Sequence, residues 1–418
     1  MRAFAARVVA AGAVFILNVI IARQLGAANT GLFYLGLSVV GVAAVLARLG
    51  LDSAVVRFVA AHAGRAEWSA IAAIYRRYLA VAVCSAAGFA LLLYIGSNWL
   101  SREVFAKPEL GSILSTLAIA LVPFVIVVLH SQFLQGIRRA ALGLYAQTAL
   151  VQTLLLLLLL GLMLSGVSWS VVDLTTFYAT VAVLAAVAMV LTWWRSAHVS
   201  VAPAGKYNFA PFRKSAKTLF PVAVMDQIVQ PWAPVVALGI WADAAQVGLF
   251  VAANRLAALV SFAILPVNTM LAPKVSALTS EKDFKGVQHL SRRAMLLISL
   301  VAVPLIVPLV FATDRIMTLF GSEFAAGGSL LLILVVGQAV NVITGPARTL
   351  LVMTGHERLY RRASMMGGII ILIGCFLWVP DHGGIGAAAA TAAGLIATKV
   401  FAAIMVRSRL RELAGESA

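Results

Sequence analysis

The chain has 418 residues, of which 62% are apolar and only 11% charged. Soluble domains run at about 45–50% apolar and about 25% charged, so a water-soluble enzyme is excluded. The 32 Lys and Arg exceed the 15 Asp and Glu, for a net charge of +17. In a membrane chain that excess is tested first against the positive-inside rule rather than taken as a nucleic-acid surface.

In chain order, apolar runs predict twelve membrane spans, at 4–23, 31–51, 78–98, 113–133, 142–165, 172–194, 217–240, 246–270, 294–313, 328–350, 363–379 and 384–406. Each is about as long as a bilayer-crossing helix needs to be and apolar all round, whereas barrel strands would alternate and be half that length. The N-terminal Met1-Arg2-Ala3-Phe4 runs into the first span without an Ala-x-Ala-like cleavage site, so this span reads as a membrane helix and not a signal peptide. Cys84 and Cys375 both fall within apolar runs, which predicts small core residues and no disulfide framework or metal cluster.

The charges sort by loop. The odd-to-even turns carry Arg23, Arg102, Lys107 and Arg315 against seven acids, Glu103, Glu109, Asp173, Asp243, Asp314, Glu323 and Asp381. With Arg48, Arg255, Arg348, Lys399 and Asp226 inside spans, the other 24 cations fall in the termini and the even-to-odd loops. This split puts both termini in the cytoplasm and supports an even number of spans. The basic excess is therefore topology, and no nucleic-acid partner is expected. The longest loop, 195–216, contains Pro203, Gly205 and Pro211 and divides an N-lobe (1–194) from a C-lobe (217–418) as a cytoplasmic linker.

The lobes echo one another. Ala27-Ala28-Asn29-Thr30-Gly31-Leu32-Phe33 opens span two, and Ala244-Ala245-Gln246-Val247-Gly248-Leu249-Phe250 opens span eight, an offset of 217 residues. Gln135-Gly136-Ile137-Arg138-Arg139 and Thr354-Gly355-His356-Glu357-Arg358 repeat the relation after spans four and ten, at an offset of 219. Six spans per copy predicts a parallel repeat, a design that encloses a site between its lobes.

Several stretches resemble the polysaccharide-repeat-unit flippases of the multidrug/oligosaccharidyl-lipid/polysaccharide exporter superfamily. They are Ala22-Arg23-Gln24-Leu25-Gly26 with Gly31-Leu32-Phe33-Tyr34, Leu49-Gly50-Leu51-Asp52 with Val56-Arg57-Phe58, Val247 to Leu256, and Gly383 to Ala389. The resemblance implies an all-α membrane fold of two pseudo-symmetric six-helix bundles around a central cavity that opens alternately to either side. It also implies movement of an undecaprenyl-pyrophosphate-linked oligosaccharide from the cytoplasmic to the outer leaflet, and the helical spans with basic cytoplasmic loops lead to the bacterial inner membrane as the expected location. A polysaccharide polymerase is the protein partner such a pathway would supply. The lipid II flippase branch, which usually carries two further helices, is less well matched.

Ionisable groups deep in a span are candidates for transport, because each costs several kcal/mol unless it faces partners or water. Arg255 in span eight and Asp226 in span seven both fall near mid-depth. As a pair they would be either a fixed structural bridge or a switch, with Arg255 meeting an anionic substrate group and Asp226 competing for it. Arg48, Arg348 and Lys399 lie nearer span ends, where snorkelling accounts well for Arg48 and Lys399. Gln338, Asn341, Gly345 and Arg348 are spaced as one polar stripe on span ten, and similar stripes run through Asn254, Ser261 and Asn268 and through Tyr145, Thr148 and Gln152. These stripes would either bond helix to helix or line a cavity for sugar hydroxyls. The candidate substrate-binding set is Arg255, Arg348, Asn254, Gln338, Asn341 and Arg48.

Span seven holds Pro221, Asp226, Gln227, Gln230, Pro231 and Pro234, so it is the span most able to bend, with Asp226, Gln230 and Pro231 as coupling or gating residues. No Walker loop, HExxH or nucleophile elbow occurs, so a carrier without metal or cofactor is expected and not an enzyme. The alternative is a cation-coupled multidrug exporter of the same superfamily, which should place carboxylates deep in the first lobe. A membrane-embedded polymerase would need large outer loops, which are missing from the pattern.

Overall fold

The computed structural model describes residues 2–196, 207–281 and 283–416, and among them every regular element is helical. They form two compact units. Unit 1 comprises Met1–Leu25 and Leu32–Ile228, and unit 2 comprises Gly26–Gly31 and Val229–Ala418. Of the expected linker at 195–216, residues 197–206 lie outside the described residues.

Unit 1 takes in most of α1 (Arg2–Ala47) and then α2 (Leu51–Ala63), α3 (Trp68–Trp99), α4 (Leu110–Gly136), α5 (Ala140–Tyr145), α6 (Val151–Leu164), α7 (Val171–Ser196) and α8 (Ala210–Val224). Its centre is α4, which packs against α3, α7 and α2 and buries Leu114, Leu117, Leu121, Leu129 and Phe133 completely. In contrast, α3 presents Leu91, Leu92 and Ile95 outward, more than half exposed, as a helix solvated by acyl chains would.

Unit 2 contains α9 (Gln230–Trp241), α10 (Ala244–Ala258), α11 (Ile264–Ser280), α12 (Phe284–Phe311), α13 (Thr313–Met317), α14 (Gly328–Ile343), α15 (Ala347–Met353) and α16 (Glu357–Glu416). At one end of it Val275, Val287, Ala294, Leu351, Ala363 and Ala402 close into a single apolar cluster.

Two of these helices are hairpins. Gly26 in α1 (φ 72°, ψ 178°) and Gly383 in α16 (φ 51°, ψ −126°) leave the helical region inside otherwise continuous runs. The Tyr34 hydroxyl donates to the Asn18 side-chain oxygen, a pair centred on Gly26. In α16, the close approaches of Gly367 to Thr398, Gly374 to Ala390 and Gly386 to Trp378 are all centred on residue 382. A straight helix would hold residues 16 apart some 24 Å from one another, so each run folds back on itself.

At both bends the first N–H after the glycine is capped by a distant side chain of unit 2. Ala27 N donates to Glu323 Oε2 at 3.0 Å, and Gly384 N donates to Gln246 Oε1 at 2.7 Å. These caps satisfy donors that a broken helix would otherwise leave bare. With both runs divided, the helices overlap all twelve expected spans. Nine helical segments among the described residues are long and apolar enough to cross a membrane, two of them being these double-length runs.

The two motifs that the sequence pairs meet inside unit 2. Gly31 lies against the Ala244 carbonyl, and Gly248 lies against the Ala27 carbonyl. The two equivalent motifs therefore touch reciprocally, each glycine admitting the other's backbone where a Cβ would collide.

Three expectations change. Span ten ends early: α14 stops at Ile343, and Gly345 (φ 67°) with Pro346 starts the separate α15, so Arg348 leaves the stripe of Gln338 and Asn341. A left-handed glycine followed by proline cannot continue a helix. Span two likewise breaks at Leu49 (φ 51°) and Gly50 (φ 73°). Cys375 is buried as expected, but Cys84 is exposed on the outward side of α3.

Candidate functional site

The break between α1 and α2 builds a buried, charged site in unit 1. The left-handed pair Leu49-Gly50 turns the chain tightly enough for Asp52, in the first turn of α2, to face Arg48 at the end of α1. Gly50 also admits α8, since a Cβ there would lie 2.7 Å from the Ala216 carbonyl and 3.0 Å from the Phe220 backbone. Arg48 Nη1 stands 3.3 Å from Asp52 Oδ2, Arg48 Nη2 donates to Gln227 Oε1 at 3.0 Å, and Gln227 Nε2 donates to Asp52 Oδ2 at 3.2 Å. Arg48 Nε donates to the Ala44 carbonyl at 3.0 Å, closing the guanidinium's inner side.

Arg48 and Asp52 are only 4% and 5% exposed, so Arg48 does not snorkel. Its charge is held in protein by a carboxylate and an amide. Asp52 Oδ1 is buried and has no hydrogen-bond partner among the described residues, leaving one acceptor of the ring open. Such a site is costly to assemble and costlier to break, because removing one partner strands the other charge.

Gln227 belongs to a widened, π-helical turn over Met225–Val229. Pro231, at the start of α9, has no N–H to give the Gln227 carbonyl, which is the local reason for the irregular turn. Asp226 lies on the same turn, half-buried. Sequence reasoning selected Asp226 from this stretch and passed over Gln227. Asp52 was also missed, although its i, i+4 spacing from Arg48 was the available signal.

In unit 2 the polar residues engage one another. Ser261 Oγ donates to Gln338 Oε1 at 2.9 Å, and Asn341 Nδ2 donates to the same oxygen at 3.1 Å. This is the helix-to-helix use of the stripe. Gln230 Nε2 donates to Ser364 Oγ at 3.0 Å, tying α9 to α16. Arg348 is exposed, with its guanidinium 5.2 Å from the Tyr360 ring centre, and Lys399 lies within its electrostatic reach. Asn254 and Arg255 are adjacent and half-buried on α10, and Pro231 is exposed at the start of α9. The candidate residues are thus divided: Arg48 and Asp226 belong to unit 1, and Asn254, Arg255, Gln338, Asn341, Arg348, Gln230 and Pro231 to unit 2.

Two polar nodes of unit 1 had no sequence signal. His130 is fully buried, its Nδ1 2.8 Å from the Ile126 carbonyl and its Nε2 3.0 Å from the Tyr75 hydroxyl, while Tyr75 stacks on Trp193. The carbonyl can only accept, so Nδ1 carries the proton and Nε2 accepts from Tyr75. The second node begins at His62, whose Nδ1 donates to Glu67 and whose Nε2 lies 3.1 Å from the Tyr207 hydroxyl. Burial, reinforced by the Glu67 carboxylate, pushes the Tyr207 phenol up and keeps it a protonated donor. From there Phe209, with Arg77 4.4 Å from its ring centre, and Phe212, stacked on Tyr78, fasten the start of α8 to α3.

No group of three or more His, Cys, Asp or Glu suited to a metal occurs among the described residues.

The polysaccharide biosynthesis protein family matches residues 3–279, about two thirds of the chain. The chain belongs to that family. A relative from Haloferax volcanii, described as "Probable low-salt glycan biosynthesis flippase Agl15", is 25% identical over 402 residues, covering 94% of this chain and 79% of its own length. Among solved structures, the lipid II flippase MurJ in an inward closed conformation matches with a TM-score of 0.76 at 13% identity, over 97% of this chain and 88% of that one. An inward-facing multidrug resistance MATE transporter matches with a TM-score of 0.70 at 15% identity, over 97% and 96%. At such identities the likeness is one of fold. Together with the family, it makes this chain a multi-pass membrane protein of polysaccharide biosynthesis with the all-helical fold that these solved structures share.

Proposed function

We propose that the chain flips an oligosaccharide linked through pyrophosphate to undecaprenol from the cytoplasmic to the outer leaflet of the bacterial inner membrane, by alternating access with both termini cytoplasmic. The observation that carries this reading is the sign of the charge inside the spans. Arg255, Arg348 and Lys399 stand against Asp226, while Arg48 and Asp52 neutralise one another at the helix break that follows span two. A planar, permanently charged guanidinium matches a diphosphate bidentately. A cationic drug would instead require a free carboxylate, and the drug-exporter reading is not favoured.

In this reading Arg255 and Arg348 meet the anionic head group, and Asn254, Gln338 and Asn341 meet sugar hydroxyls. Asp226, Gln230 and Pro231 act where the prolines of span seven permit bending. A lobe division at 195–216 would let six spans move against six, and the flipped product would pass to a polysaccharide polymerase. Deleting the gene and locating the lipid-linked repeat units tests the proposal. Accumulation in the cytoplasmic leaflet is expected. Normal outer-leaflet delivery with loss of resistance to cationic dyes would overturn it. Arg255→Ala is expected to abolish surface glycan at normal protein abundance.

A further inference from the structure

A cavity of about 480 Å³ opens where the chain enters α16, and its lining includes Gly355, His356, Glu357, Arg358, Arg362 and Arg409. None of the residues assigned above to transport lines it. The hairpin at Gly383 is what brings Arg409 back to Arg358 and Arg362.

Three guanidinium groups face one carboxylate there. Arg358 and Arg362 are both exposed, stand one helical turn apart, and occupy the first two turns of α16, which begins at Glu357. Like charges at i, i+4 repel, and a helix N-terminus is the wrong end for cations. Neither arginine has an ion-pair partner among the described residues. The arrangement is unfavourable by itself and becomes favourable once an anion enters.

The same face of α16 says what the anion is attached to. Ile369, Leu372, Ile373 and Phe376 are 46%, 42%, 53% and 67% exposed. At 3.6 residues per turn they fall with Arg358 and Arg362 within an arc of about 100°. A basic cup is thus continued along one helix face by an exposed apolar track. Phosphate is the chemistry the cup selects, and a phosphate carrying acyl chains is the form that uses the track as well.

We propose that this cavity is a head-group site for an anionic phospholipid of the cytoplasmic leaflet, separate from the transported substrate. The phosphate sits between Arg358, Arg362 and Arg409, and the acyl chains lie along Ile369 to Phe376.

The test uses the full-length chain in detergent, following thermal unfolding during titration with short-chain phosphatidylglycerol, phosphatidylcholine of equal chain length, or inorganic pyrophosphate. Phosphatidylglycerol is expected to raise the midpoint saturably and phosphatidylcholine is not. R358Q/R362Q is expected to weaken the apparent affinity by about tenfold or more. The control R57Q/R65Q, which removes two exposed cations of unit 1, is expected to leave it within twofold. Should R358Q/R362Q not fold, R358K/R362K keeps the charge and is expected to lose several-fold through its poorer fit to phosphate. Equal loss in the control would reduce the effect to bulk charge and overturn the proposal. So would an equal shift with pyrophosphate alone, which marks a soluble-anion site, or the absence of any shift with phosphatidylglycerol.

Discussion

The two units handle positive charge in opposite ways. In unit 1, Arg48 is buried, paired with Asp52 and bridged by Gln227 into a ring that brings together the end of α1, the start of α2 and the π-helical turn beyond α8. In unit 2, Arg348 is exposed over Tyr360, and Arg358 and Arg362 are exposed without an acidic partner among the described residues. The same side chain is architectural where its counter-charge is built in and available to an outside anion where it is not.

The largest expected effect breaks the closed ring. Asp52→Ala strands Arg48 in a buried site and is expected to cost about 3–5 kcal/mol, read as loss of the protein from the membrane or a lowered unfolding midpoint. The triple change R48M/D52L/Q227L removes all the polarity together and is expected to return stability to within about 1 kcal/mol of the starting chain. Glycan export by the triple variant then sharpens the comparison. Continued export would show that Arg48 is architecture alone, whereas lost export at normal abundance would place it on the substrate path.

Next come two glycines, Gly248 of unit 2 and Gly161 of unit 1. Gly248→Ala drives a methyl group into the Ala27 carbonyl and is expected to cost about 1–3 kcal/mol. Gly161→Ala, where a Cβ meets nothing within 4 Å, is expected to be neutral or stabilising in the same unfolding measurement. Weaker still, Tyr207→Phe removes the hydroxyl that meets His62 and is expected to cost about 1 kcal/mol. Protease cutting near α8 should then quicken, since this node fastens that helix.

The smallest stability effect belongs to the open cation. Arg348→Gln gives up a contact with Tyr360 worth about 0.5–1 kcal/mol at an exposed site. Its unfolding midpoint is expected to stay nearly unchanged while export falls. A large loss of stability would move Arg348 to the architectural class with Arg48.

The twelve helical runs were legible because a bilayer demands about 20 apolar residues per crossing and the chain supplies them one after another. The motif pair at Ala27 and Ala244 was legible too, and its reciprocal contact leaves no room for a side chain at Gly31 or Gly248. Arg48 was misread as snorkelling because a charge near a span end looks the same in sequence whether it reaches out to the interface or inward to Asp52. The choice depended on a two-residue left-handed turn. The stripe joining Gln338 to Arg348 failed for a related reason: Gly345-Pro346 ends α14 between them, and periodicity counted across a break assigns residues to a face that no longer exists.

What the sequence determined by itself was the solvent, the helical class and the family, because each depends on composition or on patterns shorter than one helix. Tertiary structure decided which charges are spent on one another and which remain for a ligand. That choice is a matter of a few ångströms between residues as far apart in sequence as Asp52 and Gln227, and only the turn at Leu49-Gly50 and the packing of α8 bring such partners within reach.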